Sequence, residues 1–253
     1  MLRLTFCGMG GLDVDAERRL WKTGVYCWDD FRRIRRPLFS ASRTRLILKD
    51  LDEAERRLAS GADGVRWFYA KTPPSQYCRL LVNFREIAVY FDVETNGLES
   101  NAQITTATFF DGVRFRTFTR GANINDAASY FGAISLLATY NGTTFDLPLA
   151  RREWGEAFRG VHVDLRKTLR DWGMRGGLKR AASVFGVERR EAPEVSTGAE
   201  AAELWRRWSD LGDAEALERL QRYNRDDVRA LAEIARKLCD ESMSGNIFYR
   251  SVS

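Results

Sequence analysis

The stretch from Ile87 to Glu94 constrains the chain more than any other. It is an apolar run that ends in Asp92-Val93-Glu94 and is then broken by Thr95-Asn96-Gly97. A run of that length, closed by a turn signal, predicts a buried strand. Side chains two apart in a strand share a face, so Asp92 and Glu94 project together from the end of an otherwise apolar element. Two neighbouring carboxylates with little water around them repel each other, and they need a cation, a proton or arginine partners. A hard divalent ion with oxygen ligands meets that need. A strand end facing water has the same Asp-x-Glu spacing, so this motif alone does not decide between the two.

The surrounding pattern places that strand in an α/β domain. Ile104 to Phe110 and Val113 to Thr119 read as strands either side of an Asp111-Gly112 turn, a hairpin signal. Asn125 to Ile134 suits a helix, and Leu136 to Tyr140 is a further buried strand. After His162-Val163-Asp164 the chain is helix-rich almost to its end, with an irregular tail expected from Met243 to Ser253. A strand meander followed by alternating helix and strand implies a mixed sheet flanked by helices.

The first 80 residues have a different character. They read as a small, mainly helical module: Val14 to Lys22 ended by Gly24, Trp28 to Ile34, Lys49 to Ala59 stopped by Gly61, then a rigid Pro73-Pro74 connection. Gly8-Met9-Gly10 could offer backbone amides to a phosphate, as a helix-hairpin-helix element does, or be a tight turn with no ligand. Too few residues precede it for the first helix of such an element. The expected division is a basic module over 1–80 and a catalytic domain over 81–253.

Two further pieces carry carboxylates. In Tyr140-Asn141-Gly142-Thr143-Thr144-Phe145-Asp146-Leu147-Pro148, a buried strand runs into a turn and Asp146 lies just beyond. Ligand sites collect at such strand ends, although Asp146 could equally cap a helix starting at Leu147. In Tyr223-Asn224-Arg225-Asp226-Asp227-Val228, helix geometry distinguishes two aspartates. Val228, Leu231, Ile234, Ala235 and Leu238 form one apolar stripe; Asp227 falls on it and Asp226 about 100° away. Tyr223, four residues earlier, shares the side of Asp227. Metal ligation or a buried salt bridge would account for a carboxylate there.

Charge, cysteines and hydropathy narrow the class. The net charge of +5 is uneven: residues 1–80 hold 16 Lys and Arg against 10 Asp and Glu, and the rest is near neutral. Phe31 to Lys49 contains Arg32, Arg33, Arg35, Arg36, Arg43, Arg45 and Lys49 and no acid. That suits either a solvated face or phosphate neutralisation. Cys7, Cys27, Cys78 and Cys239 are widely spaced and the chain has one histidine, His162, which argues against a structural zinc site and for buried thiols. His162 could line the site or serve a structural role. No apolar run reaches a membrane span and the N-terminus lacks a signal-peptide core, so a cytoplasmic location with no membrane partner is expected.

Together, Asp-x-Glu at a strand end, Asn-Gly-x-x-Phe-Asp after another strand and Tyr-x-x-x-Asp on a late helix resemble the three exonuclease motifs of the DEDD superfamily. These are ribonuclease H-like nucleases that include the DnaQ group. The tyrosine points to the DEDDy branch, and the lone His162 excludes the histidine branch. Phe91-Asp92-Val93-Glu94-Thr95-Asn96-Gly97-Leu98, His162-Val163-Asp164-Leu165, Leu204-Trp205 and Tyr223-Asn224 are similar to the YprB-type ribonuclease H-like exonucleases. So are Gly8-Met9-Gly10, Glu17, Leu20-Trp21, Gly24 and Trp28-Asp29-Asp30-Phe31 near the start. Asn96 departs from a threonine usual there.

The resemblance implies a five-stranded ribonuclease H-like sheet and 3′-5′ exonuclease activity with two Mg²⁺ or Mn²⁺ ions. Asp92, Glu94, Asp146 and Asp227 would be the metal ligands, with Tyr223 orienting the attacking water. Asn141, Phe145 and Leu98, then Thr95 and Asn224, are candidates for holding the last nucleotides, with core packing the alternative for Phe145 and Leu98. The substrate would be a single-stranded 3′ end of DNA or RNA. A structure-selective endonuclease and a non-catalytic nucleic-acid-binding relative are the competing readings.

Overall fold

The computed structural model describes every residue except Met1, Leu98, Ser100, 189–194, Ser196 and 244–253; the side chains of 239–243 are also outside the described set. The expected tail from residue 244 onward and the candidate Leu98 therefore lie outside the described residues. The chain divides into two compact units, Met1–Arg85 and Glu86–Ser253.

The first unit is helical: α1 (Val14–Lys22), α2 (Trp28–Arg32), α3 (Ala41–Arg57), α4 (Gly61–Lys71) and α5 (Cys78–Asn83). The Asp13 side chain caps α1 at the Ala16 amide, and Gly24, at φ 86°, follows its end. Helix α3 starts eight residues before the expected Lys49, because the Ser40 hydroxyl accepts from the Arg43 amide and opens it there. Gly61 does not stop that helix; it begins α4. Gly64 lets α4 approach α3, since a Cβ there would fall 2.1 Å from the Arg57 carbonyl oxygen. Only three-residue 3-10 turns, at Leu2–Leu4 and Met9–Gly11, flank Gly8. The Gly8 amide donates to Leu12 O and the Gly10 amide to the Asp50 carboxylate, so both are engaged within the unit.

A buried ion pair crosses this unit. Glu17 accepts from the Phe6 and Cys7 amides and from both terminal nitrogens of Arg79, at 2.5–3.0 Å. Neither side chain is more than 2% exposed. Cys7, Cys27 and Cys78 are outside any disulfide; Cys27 is half-buried, and burial pushes the Cys7 and Cys78 thiols up to about 12 and about 11.

The second unit contains β1 (Ala88–Thr95), β2 (Ile104–Phe110), β3 (Phe115–Thr119), α6 (Ala127–Ala133), β4 (Leu136–Thr139), α7 (Asp146–Trp154), β5 (Val161–Asp164), α8 (Leu165–Asp171), α9 (Leu178–Val184), α10 (Gly198–Leu211) and α11 (Ala214–Met243). The sheet order is β3-β2-β1-β4-β5. The first three strands are antiparallel, and β1, β4 and β5 run parallel. This is a mixed five-stranded sheet flanked by helices, as the sequence implies. The hairpin strand β3 starts at Phe115 rather than Val113, because Asp111 accepts both the Val113 and Arg114 amides and holds those residues in the turn.

The two faces of the sheet differ in chemistry. Val89, Phe91 and Val93 of β1 pack with Ala107 and Phe109 of β2, Phe131 of α6 and Leu149 of α7. The Phe91 ring stacks on Phe109 with centroids 4.6 Å apart. The alternate residues, Asp92 and Glu94, lie opposite Thr108 and Thr106, and Thr108 lies opposite Thr117. Helix α11 crosses this polar face: Gln221 donates to Thr119, Arg225 to Thr117, and Asn224 to Asp92. Period-two alternation thus sends one side of β1 into the core and delivers the other to a helix carrying polar groups.

Candidate metal centre

The site forms where the C-terminal half of β1 meets α11. Asp92, Glu94 and Asp227 each present a carboxylate oxygen within 4.8 Å of the others. Asp92 and Glu94 come from the strand alternation. Asn224 and Asp227, three apart, lie on the same side of α11. The Asn224 amide nitrogen donates to Asp92 at 2.8 Å, while its own oxygen is buried without a hydrogen-bond partner. Asp92 is half-buried, and Glu94 and Asp227 are buried.

Asp146 lies beside Asp92 but outside that triad. It is the first residue of α7, and its carboxylate accepts the Val93 amide of β1 at 3.1 Å. The parallel β1–β4 pairing ends at Tyr90 and Ala138, so Asp146 supplies an acceptor to β1 beyond the last ladder pair. Burial raises its carboxyl to about 7, against the opposing effect of the Val93 amide. Asp92 is raised well above the usual carboxylate range, first by burial and then by the charges of Asp146, Glu94 and Asp227; the Asn224 amide opposes this. Negative groups gathered in a poorly solvated place hold protons unless a cation takes their place.

Asp226 is buried as well, at 2% exposure, which corrects the expectation that helix phase would separate it from Asp227. Both faces of α11 are covered, since it meets β1, β2 and β3 as well as α9 and α10. What distinguishes the two aspartates is partner chemistry: Asp226 accepts from Arg229 at 3.0 Å, whereas Asp227 faces Asp92 and Glu94.

The remaining candidates are dispersed. Tyr223 is buried with Leu204 and Leu220, and the Lys179 ammonium stands 5.1 Å from its ring centroid. The Thr95 hydroxyl donates to Gly97 O at 2.6 Å. Phe145 packs against the aromatic core of the sheet. Asn141, with φ at 72°, accepts from the Thr144 hydroxyl and the Arg166 guanidinium. His162 shares a 2.8 Å hydrogen bond with Thr139, and burial pulls its ring down to about 4, which keeps it neutral.

Sequence reasoning gave no role to Asp164, Arg166 or Lys179. Asp164 accepts the Asn141 and Thr143 amides and caps α8 through Arg166, so it shapes the turn leading to Asp146. Its position directly before the Leu165 helix is a capping signal that could have found it. Nothing local marks Arg166 or Lys179.

Three carboxylates with oxygens within 4.8 Å of one another, beside the buried Asn224 amide oxygen, are an all-oxygen donor set suited to a hard divalent cation. The mixed five-stranded sheet flanked by helices is consistent with a ribonuclease H-like fold. The chain belongs to the RNase_H superfamily, whose model matches residues 89–239. Among solved structures it is similar to the family B DNA polymerase from the hyperthermophilic archaeon Pyrobaculum calidifontis, with a TM-score of 0.48 and 22% identity over 63% of this chain and 25% of that one. It is also similar to the Aedes aegypti Nibbler EXO domain, with a TM-score of 0.46 and 11% identity over 72% of this chain and 86% of that one. The chain thus spans a quarter of the polymerase's length. No curated protein matches it by sequence.

Proposed function

We propose that the chain is a metal-dependent 3′-5′ exonuclease of the DEDDy branch, of YprB type, releasing nucleoside 5′-monophosphates from single-stranded DNA or RNA. The observation that carries this reading is the convergence of Asp92, Glu94 and Asp227 within one 4.8 Å cluster on a ribonuclease H-like sheet. Asp92, Glu94 and Asp227 would hold one divalent cation, and Asp92 with Asp146 a second. Such ions, when bound, lower the pKa of a coordinated water and offset charge on the attacking and leaving oxygens. The chain's own residues supply position. Asn224 fixes the Asp92 carboxylate, the Val93 amide fixes Asp146, and the Tyr223 hydroxyl is assigned the orientation of the attacking water. Asn141, which accepts from Thr144 and Arg166, would grip the last nucleotides together with Phe145 and Leu98, with Thr95 and Asn224 as secondary contacts.

The test is an oligonucleotide labelled at its 5′ end, incubated with the pure full chain and Mg²⁺ or Mn²⁺. A ladder shortening from the 3′ end, lost in Asp92→Asn, supports the reading. Cutting of a circular single strand would replace it with an endonuclease, and metal-dependent degradation that survives Asp92→Asn and Asp227→Asn would remove the assigned centre.

A further inference from the structure

The first unit carries cations that its own acids do not answer. All ten acidic side chains of residues 1–80 are already engaged. Asp13 and Asp30 accept backbone amides, Glu17 holds Arg79, and Asp50 holds Lys71. Asp15, Glu53 and Asp63 pair with arginines on their own helices. Asp29, Asp52 and Glu55 surround Arg32. Arg35, Arg36, Arg45 and Lys49 are exposed and have neither an ion pair nor a hydrogen bond to any described residue. Arg33 and Arg43 are exposed beside them, the Arg43 guanidinium donating to Gly11 O.

The contrast runs along one helix. The C-terminal half of α3 is balanced by Glu53, Arg56 and Arg57, while its N-terminal half and the preceding segment are cationic without relief. Leu38 and Leu46 are 43% and 56% exposed in the same stretch, and Phe39 lies under the Arg43 guanidinium.

We propose that this face, from Arg35 to Lys49, binds the phosphate backbone of a single-stranded nucleic acid, with Leu38, Phe39 and Leu46 against unstacked bases. Unanswered surface cations release counterions when phosphates replace them, and exposed apolar groups beside them suit bases that a duplex would keep stacked. A lipid surface fits less well. The apolar stripe of α3, Ile47, Leu51 and Ala54, is buried in its own unit, so the outward face has no continuous apolar side to insert. The choice of strand rests on the exonuclease reading; the polyanion site does not.

The experiment uses the full chain in EDTA, so that nothing is cleaved, with fluorescein-labelled oligothymidylate followed by anisotropy across a salt series. Combining Arg35→Gln, Arg36→Gln, Arg45→Gln and Lys49→Gln should weaken binding at least ~10-fold and flatten the log K against log salt slope by about 2–3, since each phosphate contact to a single strand contributes about 0.7. The threefold counterpart Arg35→Lys, Arg36→Lys and Arg45→Lys should keep the slope, and circular dichroism should report an unchanged fold. Equal affinity and slope in wild type and the Gln variant would overturn the proposal. So would binding to phosphatidylserine vesicles with none to the oligonucleotide, or tighter binding to a duplex. Nucleotide release with Mn²⁺ is read in parallel. If wild type releases none yet the Gln variant loses affinity, the exonuclease reading fails and this one stands; if release occurs and affinity is unchanged, the reverse holds.

Discussion

Both units bury carboxylates, and they do so in opposite ways. In the first, Glu17 is met by a guanidinium and two backbone amides. Each oxygen has a donor, and the group serves as a cross-link between the N-terminal segment and α5. In the second, Asp92 faces the charges of Asp146, Glu94 and Asp227, while the Asn224 amide donates to Asp92 and the Val93 N–H to Asp146. A protein that needs a buried acid for structure surrounds it with cations and amides. One that sets acids against acids gathers negative charge that a bound cation would offset.

The largest effect that would break this comparison is in the first unit. Arg79→Ala strands Glu17 in a dry core and should cost about 3–5 kcal/mol in urea unfolding. Replacing both partners, as Glu17→Leu with Arg79→Met, should cost less than that single change. A loss under ~1 kcal/mol would mean that the pair is better solvated than its burial implies.

The second unit should respond with the opposite sign. Asp92→Asn replaces a carboxyl whose ionisation is opposed by burial and by its acidic neighbours, and should raise the stability of the metal-free chain while abolishing nucleotide release. A destabilised Asp92→Asn that keeps its activity would erase the distinction between the two sets of acids.

A pH series sharpens the same point. In the unfolded chain an aspartate titrates near 3.8, whereas folded Asp146 titrates at about 7. Between those values the folded state holds a proton that the unfolded state has given up. Asp146 therefore makes metal-free stability fall as pH rises from about 4 to 7, with no further loss above. The difference in unfolding free energy between wild type and Asp146→Asn, followed across that window, should show this slope. A flat difference would contradict the burial assigned to the carboxyl.

The smallest expected effect is at His162. Its ring, lowered to about 4, favours the folded state above the unfolded value of 6.5 and loses that contribution as pH falls through 4. His162→Gln should leave nucleotide release within about twofold of wild type, since the ring bonds Thr139 and no carboxylate of the centre.

The sequence disclosed the parts of this design that follow local periodicity. Period two on β1 placed Asp92 and Glu94 on one face, and the Asp111-Gly112 turn set the hairpin. What it did not disclose depends on what covers an element. Helix phase could orient Asp227, but not show that Asp226 is buried too, because the width of the covered face is a tertiary property. Gly61 looked like a stop in the linear chain but begins α4, and the close approach of α4 to Arg57 explains why a glycine sits at 64. Arg166, 25 residues from the Asn141 it holds, had no local signature at all.

The central claim is that Asp92, Glu94 and Asp227 form a divalent-cation centre. Counting free Mn²⁺ by electron paramagnetic resonance during titration of the full chain, at about pH 8 where Mn²⁺ displaces carboxyl protons into the buffer, tests it most directly. The account predicts that wild type removes Mn²⁺ from solution and that Asp92→Asn and Asp227→Asn each lose this capacity while Asp226→Asn retains it. Equal Mn²⁺ uptake by wild type and the Asp92→Asn and Asp227→Asn variants would contradict it.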